Sequence, residues 1–595
     1  MNDSGDLTPP PPPDFVGGLV PPADGPAAVP GHAASSWWSR YARFLIPAAA
    51  IAVVGVAAAA VFVLLLKPAP TVEKMVPASA NVLALANVDP SMTQKVNLMR
   101  ALHAFPDLHT DKAITDKLDQ ALKDSGISFS SDVQPWLGAE VGFSAQLSLQ
   151  NANDTPGALY LVLRDDSKAT AMLAKLRAGK WGAAYRWHDQ TYNGFTVSTG
   201  TPKTSGQQAG AYAYVDHVVL IASSAAVIDQ IIDTDQGRSP RLVDSAGYKA
   251  TLSGLPSDRL ASLYVDGKSL VTSLKKGVAL TPAVTVSSLK SLADLDAFQG
   301  IGATLSASST GLLADLVIKV DQSKLTPATR QALSHAGSPN TVLRWIPRGS
   351  DALLAFGNLN QTITTLVDQA GSDPAISSTT DAVGLTGPGG VLPHLTGDAG
   401  LELEVGSRVI PAGAVLLGTD NAASMNSFFK KLVSLTTGLE LPGAAGGSLT
   451  APATAPGPLK TTIYRGVVIT SYAGAGLGSL ATAFQPSYAV LDRMGILASN
   501  VAEVKAVIDA HLGGSTIAGD VTYQTALAGS LKQPSGIIYV NAGSLVDALR
   551  RFSAESGLAS VDAKTLATLA PIKSVMLTAS TRPDAMLERF FVVIK

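Results

Sequence analysis

The sequence predicts an α+β protein in which a single N-terminal transmembrane helix precedes two tandem homologous modules, each a mainly antiparallel sheet covered by helices. Three observations predict this: one long uncharged run, a colinear similarity between the two halves of the remaining chain, and short apolar segments separated by Gly, Asp and Asn. The resulting division has four parts: a Pro-rich tail at 1–43, the span at 44–66, and the two modules at 72–322 and 341–595.

The predicted membrane span runs from Phe44 to Leu66 and contains no charged residue. As a helix it would extend about 34 Å, enough to cross a hydrocarbon core of about 30 Å. A buried core helix would need neighbours on every face, and a cleavable signal peptide would begin closer to the N-terminus. We therefore expect a persistent anchor. Aromatic and basic residues that favour the membrane interface flank it: Trp37, Trp38, Arg40, Arg43 and Lys67.

The tail before the span is of low complexity, with "PPPPPDF" from Pro9 to Phe15. It has no periodic apolar face, so we expect disorder. Its polyproline either acts as a spacer or docks into an aromatic-lined groove of a partner. Basic residues are balanced on the two sides of the span, so charge bias alone does not orient it.

Paired landmarks indicate that one module occurs twice. "VPASANVLALANVDPS" from Val76 has its counterpart in "IPRGSDALLAFGNLNQT" from Ile346, and "PWLGAEVG" from Pro135 has its counterpart in "PHLTGDAG" from Pro393. Further pairs follow in the same order as far as Tyr264 and Tyr539. Similarities that stay colinear over such a length indicate an internal repeat.

Comparison of the two copies also shows whether a possible functional motif occurs in both of them. Gly267, Lys268 and Ser269 resemble the end of a phosphate-binding loop, but Ser262 stands where that loop needs its first glycine, and Gly543 replaces the lysine in the second copy. Both copies instead keep a short polar residue between a strand and a helix, which predicts helix capping and no nucleotide site. The predicted caps are Asp89, Asp266, Asn360 and Asn541.

No other motif predicts a catalytic, cofactor or metal site. The chain has no cysteine, and its net charge of -2 without basic runs argues against nucleic acid as a partner. His103 and His109 are six residues apart, which does not place them on one helical face. Acids recur at equivalent places in the two copies, for which we predict turn or cap roles: Glu140 with Asp398, and Asp216 with Asp492.

The stretch "LALANVDPSMTQKVNLMRALHAFPDL", followed by "VQPWLGAEVGFSA", resembles the actinobacterial members of the uncharacterised family catalogued as domain of unknown function 3352. This resemblance implies one N-terminal span, a cytoplasmic N-terminus and a large extracytoplasmic body at the plasma membrane. It implies no catalytic residue and no cofactor. In the second copy His394 replaces Trp136, so the most distinctive residue of the resemblance is not repeated.

The leading functional hypothesis is therefore a non-enzymatic envelope protein, anchored in the lipid bilayer, whose duplicated module binds a partner protein or an apolar ligand such as a lipid. One alternative is a transmembrane signalling protein with the Pro-rich tail as its cytoplasmic output. Another is a hydrolase with an unrecognised site, which would require acids such as Glu140 or Asp216 to meet in a cleft.

Overall fold

A computed structural model describes most of the chain after Thr71. The described residues are 72–87, 90–122, 128–147, 155–179, 182–204, 210–279, 293–334, 339–357, 359–370, 374–406, 411–436, 459–472, 485–556 and 562–594. The predicted span, its five interface residues and Asp89 lie outside these ranges. Among the helices within them, none has both the length and the apolar character that crossing a bilayer requires.

The described residues form twenty strands and sixteen α-helices. The strands are β1 Val82–Asn87, β2 Leu137–Ala145, β3 Gly157–Leu163, β4 Tyr185–Tyr192, β5 Phe195–Pro202, β6 Gly210–Val215, β7 Val218–Ala222, β8 Ala261–Asp266, β9 Phe298–Ser308, β10 Gly311–Val320, β11 Ala352–Phe356, β12 Leu395–Glu404, β13 Ala412–Thr419, β14 Leu459–Tyr464, β15 Val467–Tyr472, β16 Ser487–Leu491, β17 Met494–Ala498, β18 Gly536–Val540, β19 Ile572–Arg582 and β20 Ala585–Ile594. The helices are α1 Val72–Met75, α2 Met92–His103, α3 Asp111–Leu122, α4 Asp166–Ala178, α5 Ala225–Asp235, α6 Ala246–Leu252, α7 Gly267–Ala279, α8 Pro327–Ser334, α9 Asn340–Leu343, α10 Leu359–Ala370, α11 Pro374–Ala382, α12 Ala422–Thr436, α13 Val501–His511, α14 Val521–Ala528, α15 Ala542–Ser556 and α16 Ala563–Leu569.

All twenty strands belong to one antiparallel sheet. Its spatial order is β4-β5-β6-β7-β3-β2-β1-β8-β9-β10-β20-β19-β18-β11-β12-β13-β17-β16-β15-β14. From β10 and β20 outward, the second ten strands repeat the pairing order of the first ten. The predicted α+β class, with a mainly antiparallel sheet covered by helices, is confirmed. The sequence predicts a separate sheet in each module, whereas the pairing of β10 with β20 joins the two halves into one sheet.

The joint between β10 and β20, called the seam below, has a charged pair at its centre. Asp315 lies directly opposite Arg589, whose Nε donates to Asp315 Oδ1 at 2.6 Å. The carboxylate of Asp315 is 5% exposed. A buried charge needs a partner of opposite sign, and the two halves supply one partner each.

The sheet has two faces that are packed differently. On the core face, short helices bury one set of strand side chains, including Leu83, Tyr160 and Leu220 in the first half, and Leu353 and Leu416 in the second. The helices on this face are α1, α5, α6, α9, α13 and α14. On the opposite face, called the open face below, α2, α3, α4 and α12 cover parts of the sheet and leave other parts accessible.

Candidate functional site

The predicted caps within the described residues lie at separate helix starts. Asp266 Oδ1 accepts the amide of Ser269 at 2.7 Å, and Asn541 Oδ1 accepts the amide of Ser544 at 3.2 Å. Asn360 lies inside α10, which begins one residue earlier, and its Nδ2 donates to the backbone of strand β12. These residues hold local structure and do not meet in one place.

The acids Glu140 and Asp398 are also placed on local structure. Glu140 is 8% exposed, and its Oε2 accepts the amide of Val72 at 3.0 Å, at the start of α1. A carboxylate at a helix N-terminus is stabilised by the free amides there. Burial raises the pKa of Asp398 above its usual value. Neither acid lies in a cleft with the other.

Asp216 and Asp492 occupy equivalent turns with a positive φ, 42° and 45°. Their neighbours differ between the halves. Asp235 faces Asp216, and burial followed by this carboxyl neighbour raises the pKa of Asp235. Asp492 instead pairs with His511, whose Nε2 lies 3.0 Å from Asp492 Oδ2. Both acids therefore connect a turn to the last residue of a core-face helix.

A pair of buried acids in the second half carries no signal in the sequence. Glu402 on β12 is 0% exposed and Glu503 on α13 is 2% exposed, while Ser350 Oγ donates to Glu402 Oε2 at 3.0 Å. Burial, followed by the facing carboxyl of Glu503, raises the pKa of Glu402 to about 9. A substrate cannot contact groups that are closed off in this way, so the pair is a feature of the core.

The open face carries a continuous row of apolar side chains across the second half. In strand order the row consists of Phe590, Leu577, Ile538, Leu354, Leu401, Val415 and Leu497, each directly opposite the next. Three of these side chains are exposed: Phe590 by 36%, Ile538 by 39% and Leu401 by 37%. On the core face of the same strands, Tyr539 and Phe591 are each 1% exposed.

A second row runs beside the first and is also free of charge. It consists of Leu312, Val592, Val575, Val540, Ala352, Leu403 and Gly413. Leu403 is 37% exposed. Antiparallel sheets with one face in water normally alternate apolar and polar residues. Strands β12 and β18 depart from this alternation, because they carry apolar residues on both faces.

The first half has the matching row. In strand order from the seam it consists of Leu316, Ala303, Leu263, Ala84, Phe143, Leu159 and Ile221. Phe143 is 46% exposed and Ile221 is 43% exposed. At the seam, Glu588 lies on the open face directly opposite Leu316, and burial raises the pKa of its carboxyl. The row that begins at Phe590 and the row of the first half therefore meet beside the carboxyl group of Glu588.

The apolar open face is not among the features predicted above, although the sequence contains a signal for it. Strand β18 reads "GIIYV", and β12 places Leu401 and Leu403 between its buried residues. Short apolar runs of this kind predict strands but do not show which faces of the sheet are apolar. The absence of polar alternation in an antiparallel sheet is the pattern that could have indicated a second apolar face.

Comparisons with known proteins identify a family without a known activity. A family model described as "Protein of unknown function (DUF3352)" matches residues 46–437 and 411–587. Among solved structures, crystal forms I and IV of TP0453 are 8% and 11% identical, cover 45% and 44% of this chain and 84% and 85% of their own, and give TM-scores of 0.23. No curated protein matches the chain.

Proposed function

The chain belongs to the family of proteins of unknown function DUF3352, and from this premise we propose that it is a non-enzymatic, membrane-anchored protein of the cell envelope that binds the hydrocarbon chain of a lipid on its open face. The observation that carries the proposal is the uncharged row of directly opposed apolar side chains from Phe590 to Leu497. Three members of that row are more than a third exposed.

A hydrocarbon chain suits this face better than a protein partner. The strands beneath the rows are paired on both sides, so a partner cannot add a strand there. Protein interfaces carry about one hydrogen bond per 100–200 Å². The two neighbouring apolar rows of the second half contain no polar side chain that could form such a bond. Hydrocarbon needs no hydrogen-bond partner and gains free energy from leaving water.

The length of the row fits the same ligand. Six interstrand steps at about 4.8 Å each give about 29 Å from Phe590 to Leu497. Each leaflet contributes about half of a hydrocarbon core of about 30 Å, so an extended acyl chain spans about 15 Å. One row therefore accommodates a full acyl chain lying across the strands.

Anchoring would bring the open face close to its ligand. The uncharged run from Phe44 to Leu66 is long enough to span a bilayer, and the body begins only a few residues after it. We propose a cytoplasmic N-terminus and an extracytoplasmic body. An extracellular protease added to intact cells should digest the body. If the body is cleaved only after the cells are lysed, the orientation is the opposite of the one proposed.

The binding proposal is tested by photolabelling. The full-length chain is reconstituted in phosphatidylcholine vesicles that contain a phosphatidylcholine with a diazirine on one acyl chain, and labelled residues are mapped by mass spectrometry. We expect label at Leu401 and Ile538, with label on 44–66 serving as the internal reference. Replacing both residues by Gln should reduce the label on the second half about fivefold, because a buried amide without a partner costs at least about 1 kcal/mol.

Val521→Gln is the matched control, since Val521 is 72% exposed but belongs to α14 on the core face. This variant should label like the unchanged protein. Label confined to 44–66 would contradict lipid binding by the body. Crosslinks from the open face to another protein, or to another segment of the chain, would show that this protein or segment, and not a lipid, occupies the open face.

A further inference from the structure

The apolar row of the first half ends in a polar cluster. Beyond Ile221 the directly opposed residues are Tyr212, Ser198 and Asp189. Arg177, from the last turn of α4, donates through Nη1 to both carboxylate oxygens of Asp189 at 3.1 Å and to the hydroxyl of Tyr212 at 3.3 Å. Arg177 is 33% exposed and Asp189 is 44% exposed. The ion pair of Arg177 and Asp189 therefore lies at the end of the apolar row of the first half.

Aromatic rings surround this pair. The guanidinium of Arg177 lies 5.3 Å from the ring centroid of Trp187, and the rings of Tyr185 and Tyr212 lie 5.8 and 5.4 Å from that centroid. Trp187 lies over Gly200, where a side chain would meet the indole at 3.1 Å. Its Nε1 donates to the carbonyl of Gly182 at 3.0 Å, which fixes the orientation of the ring.

The second half lacks this cluster at the equivalent positions. Its row continues from Leu497 to Tyr488, Thr470 and Thr461, so threonine replaces Asp189. By strand register Leu459 occupies the position of Trp187, and by the matching caps of α4 and α12 Val433 occupies the position of Arg177. Among these positions at the outer ends of the two rows, the arginine, the aspartate and the tryptophan occur in the first half.

We propose that this cluster, defined by Arg177, Trp187, Asp189 and Tyr212, binds the neutral, hydroxyl-bearing headgroup of a glycolipid whose chain lies on the first-half row. This inference rests on the proposed function and names the ligand class. The charges of Arg177 and Asp189 cancel, which suits an uncharged group. Guanidinium N–H groups donate to hydroxyl oxygens and the carboxylate accepts from hydroxyl hydrogens, while aromatic rings pack on apolar C–H surface. A phosphate would meet the carboxylate of Asp189 and would compete with it for Arg177.

The test compares two probes that carry the same diazirine acyl chain, a monoglucosyl diacylglycerol and a phosphatidylcholine, each in phosphatidylcholine vesicles with the full-length chain. The glucosyl probe should label Phe143 and Leu159 about fivefold more than the phosphatidylcholine probe, the effect expected for about one hydrogen bond. The two probes should label Leu401 equally.

Variants assign this preference to the cluster. Trp187→Ala and Asp189→Asn should lower the glucosyl label on the first half to the phosphatidylcholine level, whereas Trp187→Phe should retain most of it. Leu459→Ala is the matched control in the second half and should change neither label. Unchanged label at Leu401 and an unchanged circular dichroism spectrum show that a variant is folded.

Each outcome separates the two proposals. No label on either half by either probe overturns the proposed function and this inference together. Equal label by both probes, unaffected by Trp187→Ala, leaves lipid binding intact and overturns the headgroup site. Stronger label by an anionic phosphatidylglycerol probe overturns the neutral headgroup. Competition by free methyl glucoside that removes the preference would assign the site to a soluble sugar instead of a lipid.

Discussion

The two halves of the sheet share one pairing order but differ in the polar groups that they bury. In the first half Ser144 bonds the hydroxyl of Tyr160 at 2.9 Å. At the position of Ser144 in the second half stands Glu402, which faces Glu503. The strand pairing is compatible with either a serine or a glutamate at this position, because the backbone hydrogen bonds between strands do not depend on these side chains. The halves therefore share architecture but are expected to respond differently to pH and to ligands.

The largest expected effect concerns the second half and pH. The pKa of Glu402 is raised to about 9 in the folded chain, so its stabilisation is complete below the pKa of a free glutamic acid, about 4.3, and is lost as the pH rises toward 9. We expect a loss of several kcal/mol across this range, because each unit of pKa shift corresponds to about 1.4 kcal/mol. Hydrogen exchange should accelerate with pH in β12 and α13 beyond the intrinsic rate, and much less in β2 and α5.

Glu402→Gln should remove this pH dependence, because the amide keeps a hydrogen-bond acceptor for Ser350 but does not titrate. Asp547→Asn is the control, since Asp547 is 60% exposed and its ion pair with Arg550 lies on the surface. Equal pH responses of the two halves in the unchanged protein would contradict a raised pKa of Glu402 in the folded chain.

A somewhat smaller effect is expected at the seam, where the comparison depends on the two halves staying joined. Arg589→Ala leaves the carboxylate of Asp315 buried without its partner, which typically costs about 3–5 kcal/mol. Urea unfolding measures this loss. Lys112→Ala removes an exposed ion pair with Asp116 and should cost less than about 1 kcal/mol. Similar losses for both variants would show that the seam pair is not a buried charge pair.

In the first half, Ser144→Ala should destabilise the chain by about 2 kcal/mol, because it leaves the buried hydroxyl of Tyr160 without this partner. Burial raises the pKa of Tyr160 above that of free tyrosine, so the hydroxyl stays neutral and the loss should not vary between pH 5 and 9. Urea midpoints at both pH values measure it. If the loss of stability caused by Ser144→Ala grows with pH, the first half would depend on pH as we expect for Glu402 in the second half, which would contradict this prediction.

The smallest expected effects are at the two equivalent caps. Asp266→Ala and Asn541→Ala each remove the side-chain acceptor of one first-turn amide and should each cost about 1 kcal/mol. Hydrogen exchange at the amides of Ser269 and Ser544 measures the local loss. Protection that persists at Ser544 but not at Ser269 would show that the helix starts of the two halves are held differently.

A large part of the fold was predictable from the sequence, because strand and helix signals are local. Residues 135–142 and 393–400 predicted related strands in both halves, and the structure places β2 and β12 there. The single continuous sheet was not predicted. Pairing of β10 with β20 joins residues about 270 positions apart in the chain, and no local pattern distinguishes such an edge from one that faces solvent.

The candidate site was less predictable. The residues of the apolar rows come from strands distributed over the whole chain, and only their register brings Leu401 beside Ile538 through Leu354. The Trp187 cluster likewise depends on α4 bringing Arg177 over a hairpin. Neither arrangement follows from composition or from a short motif.

The sequence by itself determined the strand and helix types, the repeat of landmarks and the prediction of an anchor, because periodicity, turn residues and uncharged length are local properties. The tertiary structure decided which acids are buried, how the halves join and which apolar faces remain exposed. These depend on contacts between residues far apart in the chain, where a side chain such as Glu402 titrates according to its neighbours and not its identity.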